Sequence, residues 1–437
     1  MKKVNVKIFS KVTACILASV TIALSATACS SSTKSSSTGS ASSSTGLTKV
    51  TFWNSFTGSD ATELKVLVNQ FNTENKGKYE VDMNVMTSDA YTQKLPVSLA
   101  TSTGPDIMAI GPNDVITYAN KGTICSIDDI FKETGLEKSD IEDTALNFCK
   151  VNDKLYGLPL EVMSNYLYWN KDLFKAAGLD PDKAPSTLTE LVADAIKLTD
   201  SSKNQYGFAM PVKGAPAFYV AFIRGNGGEV VDTKTNKSVF NTSTNVATVK
   251  MLKELTDKKV SPVSASGTDT DNVMLSGKMG MYINGPWLIP GLKSHNINYG
   301  VANVPAGSKT ASYVLDGEIL AIAKSSTGAK KVAAYQFLKY WNSTAVGKVW
   351  AQKVGFPPYL KSVINDSEIK SDKNISILAS AIDSGLAKTW NVGVTNGSKI
   401  DSDILFPLIE QLQNGASAED SVKSASSAID KLISSDS

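Results

Sequence analysis

The sequence has little of the side-chain chemistry that most enzymes and metalloproteins use. Its 437 residues include one histidine, His295, and one arginine, Arg224. Histidine is the commonest general acid or base near neutral pH, and a single one beside no nucleophile rarely forms a catalytic site. The lone arginine argues against a dedicated anion clamp. Because no nucleophile elbow, phosphate loop or metal-ligand cluster is recognisable, we expect no catalytic residue, metal or cofactor.

Long apolar runs are also scarce. The one extended apolar stretch, residues 12–28, follows a basic start and ends in small residues, which is typical of a signal peptide and not of a membrane-spanning helix. Its end, "SATAC", resembles the lipobox of bacterial lipoproteins, with Ala26 where leucine is usual. We therefore expect residues 1–28 to be a signal peptide and Cys29 to be lipidated. Cys15 ends a shorter match without a preceding apolar region, and a signal peptide without lipidation is the alternative.

Residues 29–46 are almost entirely Ser, Thr and Gly, so they predict a flexible tether behind the lipid anchor. Removal of four signal-peptide lysines leaves 44 − 4 = 40 basic against 42 acidic residues, a charge of −2 that implies no nucleic-acid partner. Cys125 and Cys149 remain in a compartment that permits a disulfide between them, and whether they form it stays open. Two thiols without a nearby histidine cannot complete a zinc site.

The part from Leu47 onward is too long for one hydrophobic core and suggests two domains. Segments with the apolar pattern of a strand, such as "KVTFWNS" and "GPDIMAI", alternate with segments that have the pattern of a helix, such as "ATELKVLVNQFN". Pro96 is expected near the start of a weak helix, and Asn152-Asp153 at a hairpin turn. This alternation predicts the α/β class, with parallel sheets covered by helices on both faces.

The stretch "MGMYINGPWLIPGL" predicts a strand, a turn at Asn284-Gly285-Pro286 and then a helix. Trp287 would lie at the mouth between strand and helix, a position that usually serves function. Packing of Trp287 in a core is the alternative.

Several segments together resemble the extracellular solute-binding proteins of bacterial ABC importers, of the maltose and multiple-sugar type. They are "VTFWNSFTG", "GPDIMAI" with "YANKGTICSIDDI", "KLYGLPLEVMSNYLYWNKDLFKAAGLD", "LSGKMGMYINGPW" and "YGVANVPAG". Trp169 and Leu188 depart from the usual Tyr and Trp. The resemblance implies a two-lobed periplasmic-binding-protein-like (Venus-flytrap) fold whose discontinuous lobes close about a hinge. We expect lobe 1 at 47–160 and 315–360, and lobe 2 at 161–314 and 361–437.

The resemblance also implies ligand-binding positions in the cleft. Trp287 is expected as a stacking platform, and Trp390 as a second aromatic or a surface residue. One residue of each pair Tyr166/Tyr168 and Phe218/Tyr219 is a candidate, with core packing the alternative. Asp106 is expected to hold the G-P-D turn. The other candidates are Asn54, Ser55, Phe56, Asn113, Asp114, Glu161, Asn165, Asp316, Glu318 and Asn391.

The resemblance implies a binding protein, expected to be a monomer, that captures a sugar, most simply an oligosaccharide, on the extracellular face of the membrane and delivers it to permease subunits. Sugars need flat aromatic surfaces and polar rims, which the candidates offer. A binder of another small solute, of the glycerol phosphate or polyamine type, is the alternative. An extracellular two-carboxylate glycosidase is the enzyme alternative.

Overall fold

The computed structural model describes residues 46–435 apart from Thr57, Pro216, Ala217 and Thr395. The predicted signal peptide, Cys29 and all but the last residue of the tether lie outside the described residues. Within the described part, no helix is both long and apolar enough to cross a membrane.

The helices alternate with the strands along the chain. The α-helices are α1 (Ser59–Glu74), α2 (Ser88–Ala100), α3 (Pro112–Asn120), α4 (Ile130–Thr134), α5 (Asp143–Phe148), α6 (Lys171–Ala176), α7 (Leu188–Leu198), α8 (Tyr219–Gly225), α9 (Ser243–Asp257), α10 (Gly267–Leu275), α11 (Leu288–Ser294), α12 (Ala329–Trp341), α13 (Thr344–Lys353), α14 (Lys361–Ile364), α15 (Ser367–Ser371), α16 (Lys373–Asp383), α17 (Gly397–Ile400), α18 (Phe406–Gln413) and α19 (Ala418–Ser434). A π-helical turn at Asp401–Leu405 joins α17 to α18.

The strands are β1 (Thr48–Asn54), β2 (Tyr79–Val85), β3 (Ile107–Ile110), β4 (Lys150–Val151), β5 (Lys154–Leu155), β6 (Gly157–Ser164), β7 (Tyr166–Asn170), β8 (Tyr206–Phe208), β9 (Val231–Asp232), β10 (Lys237–Ser238), β11 (Met279–Asn284), β12 (Tyr299–Asn303), β13 (Tyr313–Ile322) and β14 (Ala387–Thr389). The hairpin predicted at Asn152-Asp153 is present as β4 and β5, and both turn residues have positive φ. Pro96 lies inside α2 and not near its start.

Two separate hydrophobic cores divide the described chain into two lobes. The core of lobe one is built from residues 50–163 and 315–375, and the core of lobe two from residues 166–314 and 378–433. Lobe one therefore takes its core from α14, α15 and the start of α16, beyond the boundary predicted at Leu360. The chain changes lobes three times, so neither lobe is continuous in sequence.

Each lobe is organised around one sheet. The sheet of lobe one has the order β14-β13-β3-β1-β2, with β6 also paired to β13; β1 is parallel to β2 and β3, whereas β13 is antiparallel to β3 and β6. The sheet of lobe two has the order β12-β7-β11-β8, and only its β11–β8 pair is parallel. The α/β class is confirmed, but both sheets are mixed, so the expectation of parallel sheets is wrong.

The long strands β6 and β13 carry the chain between the lobes. At the first crossing, Met163 belongs to the core of lobe one and Tyr166 to that of lobe two. At the return, Val314 belongs to the core of lobe two and Leu315 to that of lobe one. Gly317 lies in the middle of this strand pair. A Cβ atom at Gly317 would overlap the carbonyl oxygen of Glu161, so only glycine allows the crossing strands to approach this closely.

The G-P-D turn ahead of β3 is held by Asp106, as predicted. Its carboxylate accepts hydrogen bonds from the Thr51 backbone N–H at 2.9 Å and the Ser326 hydroxyl at 2.6 Å, and it pairs with Lys330 Nζ at 3.1 Å. These contacts join β1 to the segment between β13 and α12. Asp106 therefore has a structural role that explains its polarity without a ligand.

Candidate functional site

A pocket of about 230 Å³ lies between the two cores, beside the crossing strands. Leu315 from the core of lobe one and Val314 and Trp390 from the core of lobe two line it together. The N-terminal end of α3, the start of β13, the loop after β14 and the π-helical turn also contribute. The remaining lining residues are Gly111, Pro112, Asn113, Asp114, Ala215, Asp316, Asn391, Val392 and Asp401.

Three carboxyl groups line this pocket from different elements. Burial raises the pKa of Asp114 and that of Asp316 to about 6 each, and the pKa of Asp401 to about 7. The Asp316 residue is exposed to water in the cleft. Carboxyl groups whose pKa is raised by burial are stabilised in their ionised form by hydrogen-bond donors that a ligand brings.

Two more carboxyl groups lie behind the pocket, on the crossing strands. Glu161 on β6 is directly opposite Glu318 on β13 in the strand register. Burial, and then the neighbouring charges of Asp60 and Glu318, raise the pKa of Glu161 well above its usual range. Burial and the charge of Asp316 do the same for the pKa of Glu318. Trp350 Nε1 donates a hydrogen bond to Glu161 at 3.2 Å. Acidic side chains thus extend from the hinge into the pocket.

Trp390 is the aromatic residue of this pocket. Its indole Nε1 lies 2.8 Å from both carboxylate oxygens of Asp401, so the ring is held in a fixed orientation. The guanidinium carbon of Arg224, a residue of lobe two, lies 5.8 Å from the centroid of the Trp390 ring. Trp390 is 6% exposed, which shows that it is no surface-loop residue.

Asn113 and Asn391 join the two walls of the pocket. The side-chain amide of Asn113, on α3 of lobe one, donates to the side-chain oxygen of Asn391 on the loop that follows Trp390. The Asn391 amide in turn donates to Gly397 O at 2.6 Å. Asn391 adopts a positive φ of 51°, which asparagine tolerates better than most residues. Two residues predicted separately, from distant segments, are therefore in direct contact.

Trp287 follows the strand and turn predicted for it and caps α11. It is half-buried and packs against the core of lobe one, with its ring centroid 6.4 Å from that of Phe356, although β11 belongs to lobe two. A side chain at Gly285 would overlap the Trp287 ring, so the turn needs glycine there. Trp287 thus spans the boundary between the lobes, but it does not line the pocket around Trp390.

The last residue of β1 and the two residues after it lie at the same edge of the lobe one sheet as α3. Asn54 is fully buried, and its side-chain oxygen accepts a hydrogen bond from the Phe56 N–H at 3.2 Å. The Asn54 amide nitrogen has no hydrogen-bond partner among the described residues. Ser55 and Phe56 are half-buried. Asn165, at the first crossing between lobes, is 3% exposed.

The structure places four aromatic candidates in the core of lobe two. Tyr166, Tyr168 and Phe218 have no exposed surface, and Tyr219 is 3% exposed. The hydroxyls of Tyr166, Tyr168 and Tyr219 donate to the backbone oxygens of Leu378, Gly285 and Pro211 at 2.7, 3.1 and 2.8 Å. Both members of each pair therefore follow the core-packing alternative: every residue of β7 is buried, and so is every residue of α8 except Arg224.

Asp401 is the one polar side chain among the described pocket residues that was not predicted from the sequence. Asp401 stands in no recognisable motif, and only the π-helical turn brings its carboxylate to Trp390. Its one signal in the sequence is an isolated acidic residue shortly after the "KTWNVGV" segment, which does not distinguish it from Asp403.

Cys125 and Cys149, the cysteines within the described residues, are both free. Cys149 is fully buried, and its thiol donates to Ala145 O at 3.6 Å, whereas Cys125 is half-buried beside β13. The possible disulfide between them is therefore not formed. Among the described residues, no group of three or more His, Cys, Asp or Glu side chains could hold a metal ion.

Comparison with known proteins supports this architecture. A family described as "Bacterial extracellular solute-binding protein" matches residues 66–377. A putative binding protein of Brucella abortus is 28% identical over 313 residues, covering 69% of this chain and 72% of the relative. The maltotriose-binding protein of Pyrococcus abyssi is 26% identical, covering 64% and 60%.

A structure with the same fold is also known. An ABC transporter solute-binding protein from Thermotoga lettingae, bound with α-D-tagatose, superposes with a TM-score of 0.78 at 24% identity. The match covers 88% of this chain and 99% of that one. The likeness confirms the two-lobed fold.

Proposed function

We propose that this chain, which belongs to the bacterial extracellular solute-binding proteins, captures a sugar in the cleft between its lobes. Members of this family are binding proteins of transport systems and not enzymes. The observation that carries the proposal is the pocket between the two cores, where carboxyl groups, amides and an orientated tryptophan converge. The names of the maltotriose-binding and tagatose-bound proteins point to the same class of solute.

The chemistry of the pocket suits a hydroxyl-rich ligand. Carboxyl groups of Asp114, Asp316 and Asp401 accept hydrogen bonds from sugar hydroxyls, and the amides of Asn113 and Asn391 can both donate and accept. Each hydroxyl that enters must be matched, since an unpaired buried polar group costs roughly 1–3 kcal/mol. The face of an indole covers the apolar C–H face of a pyranose. We assign this stacking role to Trp390 in the pocket and to Trp287 at the lobe boundary.

The other predicted residues support this pocket from the hinge and the rim. Glu161 and Glu318 on the crossing strands would adjust their hydrogen bonds when the lobes move. Asn165 lies where β6 ends, and Asn54, Ser55 and Phe56 lie at the neighbouring sheet edge. A ligand that touches both lobes favours the closed form by its differential affinity for that form. An affinity near micromolar corresponds to about −8 kcal/mol, within reach of two aromatic contacts and several hydrogen bonds.

We further propose that the protein works on the extracellular face of the membrane as a monomer. Lipidated Cys29 would anchor it, residues 29–46 would act as the tether, and permease subunits of an ABC importer would receive the sugar. The lobes predicted from the sequence run from 47 to 160 with 315 to 360, and from 161 to 314 with 361 to 437. The two cores support moving these boundaries to Met163 and to Ile375.

The test is a thermal-shift and calorimetric panel of mono- and oligosaccharides. A sugar that raises the melting temperature and binds without being hydrolysed supports the proposal. Trp390→Ala and Trp287→Ala should each weaken that binding by about ten-fold or more, with the phenylalanine variants retaining most of it. Trp53→Ala, on β1 beside Lys94, is the control and should leave affinity unchanged. Release of reducing ends from an oligosaccharide would instead favour a glycosidase.

One observation favours a second candidate, a polyamine-like cation. The pocket around Trp390 is lined by three carboxyl groups, and none of its described lining residues is basic. A cation would restore their ionised state, whereas sugar hydroxyls need no such change. Spermidine and putrescine therefore belong in the same panel, and their binding in place of any sugar would decide for this candidate.

A further inference from the structure

A second cavity, of about 570 Å³, adjoins the acid-lined pocket. The two cavities share Leu315 and Val392 as lining residues. Phe148 from the core of lobe one and Val231 from the core of lobe two also line the second cavity. Because both cavities lie between the same two cores and share a wall, they are successive parts of one cleft.

The two parts of the cleft differ in charge. Lys150, Arg224 and Lys388 line the second cavity together with one acidic residue, Glu229. Three cationic groups against one carboxylate give a formal charge of 3 − 1 = +2, whereas the first pocket has acidic lining residues and no basic one. A ligand that fills the whole cleft therefore meets hydrogen-bond acceptors at one end and a positive potential at the other.

Arg224 is held in place with part of its guanidinium unused. Its Nε donates to Glu229 at 2.8 Å and its Nη1 to Thr389 O at 3.1 Å, and the side chain is 14% exposed. Its Nη2 has no hydrogen-bond partner among the described residues. A planar guanidinium fixed on two sides, with donors to spare, suits a carboxylate or phosphate better than a mobile lysine does.

Lys150 and Lys388 line the cavity from two separate elements. Lys150, on β4 of lobe one, is half-buried and donates to Asn147 at 3.1 Å. Lys388, on the edge strand β14, is exposed. Neither lysine forms an ion pair with a described carboxylate. Their charges are therefore available to a ligand.

We infer that this second cavity, the anion subsite, binds a carboxylate or phosphate substituent of a sugar whose neutral hydroxyls occupy the acid-lined pocket. The inference rests on the proposed function and narrows its substrate to acidic saccharides. It departs from the expectation that a chain with one arginine makes no anion site, because two lysines from separate elements supplement that arginine.

Matched neutral and acidic saccharides test the inference by calorimetry. Galactobiose is compared with digalacturonate, xylotriose with its glucuronate-substituted form, and glucose with glucose 6-phosphate. The acidic member of at least one set should bind tighter, and raising NaCl from about 50 to about 500 mM should weaken only that member. The sets also separate the carboxylate source from the phosphate source.

Variants locate the effect in the anion subsite. Lys150→Gln and Lys388→Gln should each weaken the acidic member by about two- to five-fold and leave the neutral one unchanged. Arg224→Lys, which keeps the charge but loses the fork, should weaken it by about ten-fold or more. Lys258→Gln, an exposed lysine at the end of α9, is the matched control and should change nothing.

The inference is overturned if acidic members bind no tighter than neutral ones, or if the lysine variants weaken both equally. In either case sugar binding itself leaves the proposed function standing. A full panel in which no saccharide binds contradicts the proposed function, and the inference fails with it.

Discussion

Replacing Asp401 by asparagine should stabilise the empty protein above neutral pH. Burial raises the pKa of Asp401 from 3.8 to about 7, the charge of Asp316 adds to the rise, and hydrogen bonds from Trp390 and Asn391 oppose it. A raised carboxyl pKa means that the folded state holds its proton more tightly than the unfolded state does. Asp401 therefore destabilises the fold progressively as pH rises from about 4 to 7, and fully above that range.

The magnitude follows from the size of the shift. The difference of about 3 pKa units corresponds to about 4 kcal/mol at pH 8. At pH 5 the destabilisation by Asp401 corresponds to only about 1.2 pKa units, or roughly 1.6 kcal/mol. Cleft water screens the half-buried carboxyl group and so reduces both of these energies. Asparagine keeps one hydrogen-bond acceptor for Trp390 but loses the other, and that lost hydrogen bond costs about 0.5–1.5 kcal/mol. We expect Asp401→Asn to raise the free energy of unfolding by about 1–2 kcal/mol at pH 8 and to leave it nearly unchanged at pH 5.

Differential scanning calorimetry at the two pH values measures this difference. For a protein of this length the expected gain at pH 8 is about 1–3 °C in melting temperature. Asp403→Asn, an exposed aspartate two residues away, is the control and should shift nothing at either pH. Equal shifts of Asp401→Asn at pH 5 and pH 8, or a loss at pH 8, would refute the reasoning. The stabilised variant should also bind sugar more weakly, because it lacks a carboxylate acceptor.

Three further predictions follow from the fold. Gly317→Ala should lower the free energy of unfolding by about 1–3 kcal/mol, since its Cβ overlaps the Glu161 carbonyl; unchanged urea denaturation would contradict that crowding. Tyr166→Phe removes the hydrogen bond to Leu378 O and should lower the free energy of unfolding by about 1 kcal/mol, while sugar affinity stays constant. A large loss of sugar affinity would show instead that Tyr166 contacts the ligand. Iodoacetamide should modify Cys125 in the folded protein and Cys149 only after unfolding. A disulfide between Cys125 and Cys149, found by mass spectrometry, would be incompatible with this structure.

Local patterns predicted the elements of the fold well, because each depends on nearby residues. The turn before Trp287 and the hairpin at Asn152-Asp153 are examples. The strand directions in the sheets were not predictable from alternation, since lobe two reverses β7 against both of its neighbours.

The candidate site was predictable only in part. Asn113, Asp114, Asp316, Trp390 and Asn391 were predicted from motifs and meet in one pocket. The core positions of Tyr166, Tyr168, Phe218 and Tyr219 could not be distinguished from cleft positions, because a strand covered on both faces shows no polar alternation. Asp401 was missed because a π-helical turn, and no sequence motif, orientates it.

The three lobe crossings have a consequence for how the chain acquires its structure. Lobe one, which begins at β1, needs core residues up to Ile375, and lobe two needs helix α19. Neither half can be completed until most of the polypeptide is available, so contacts of large sequence separation must form late and slowly. A chain that must travel across a membrane before it folds benefits from that delay, because fragments emerging early have no finished lobe into which to collapse.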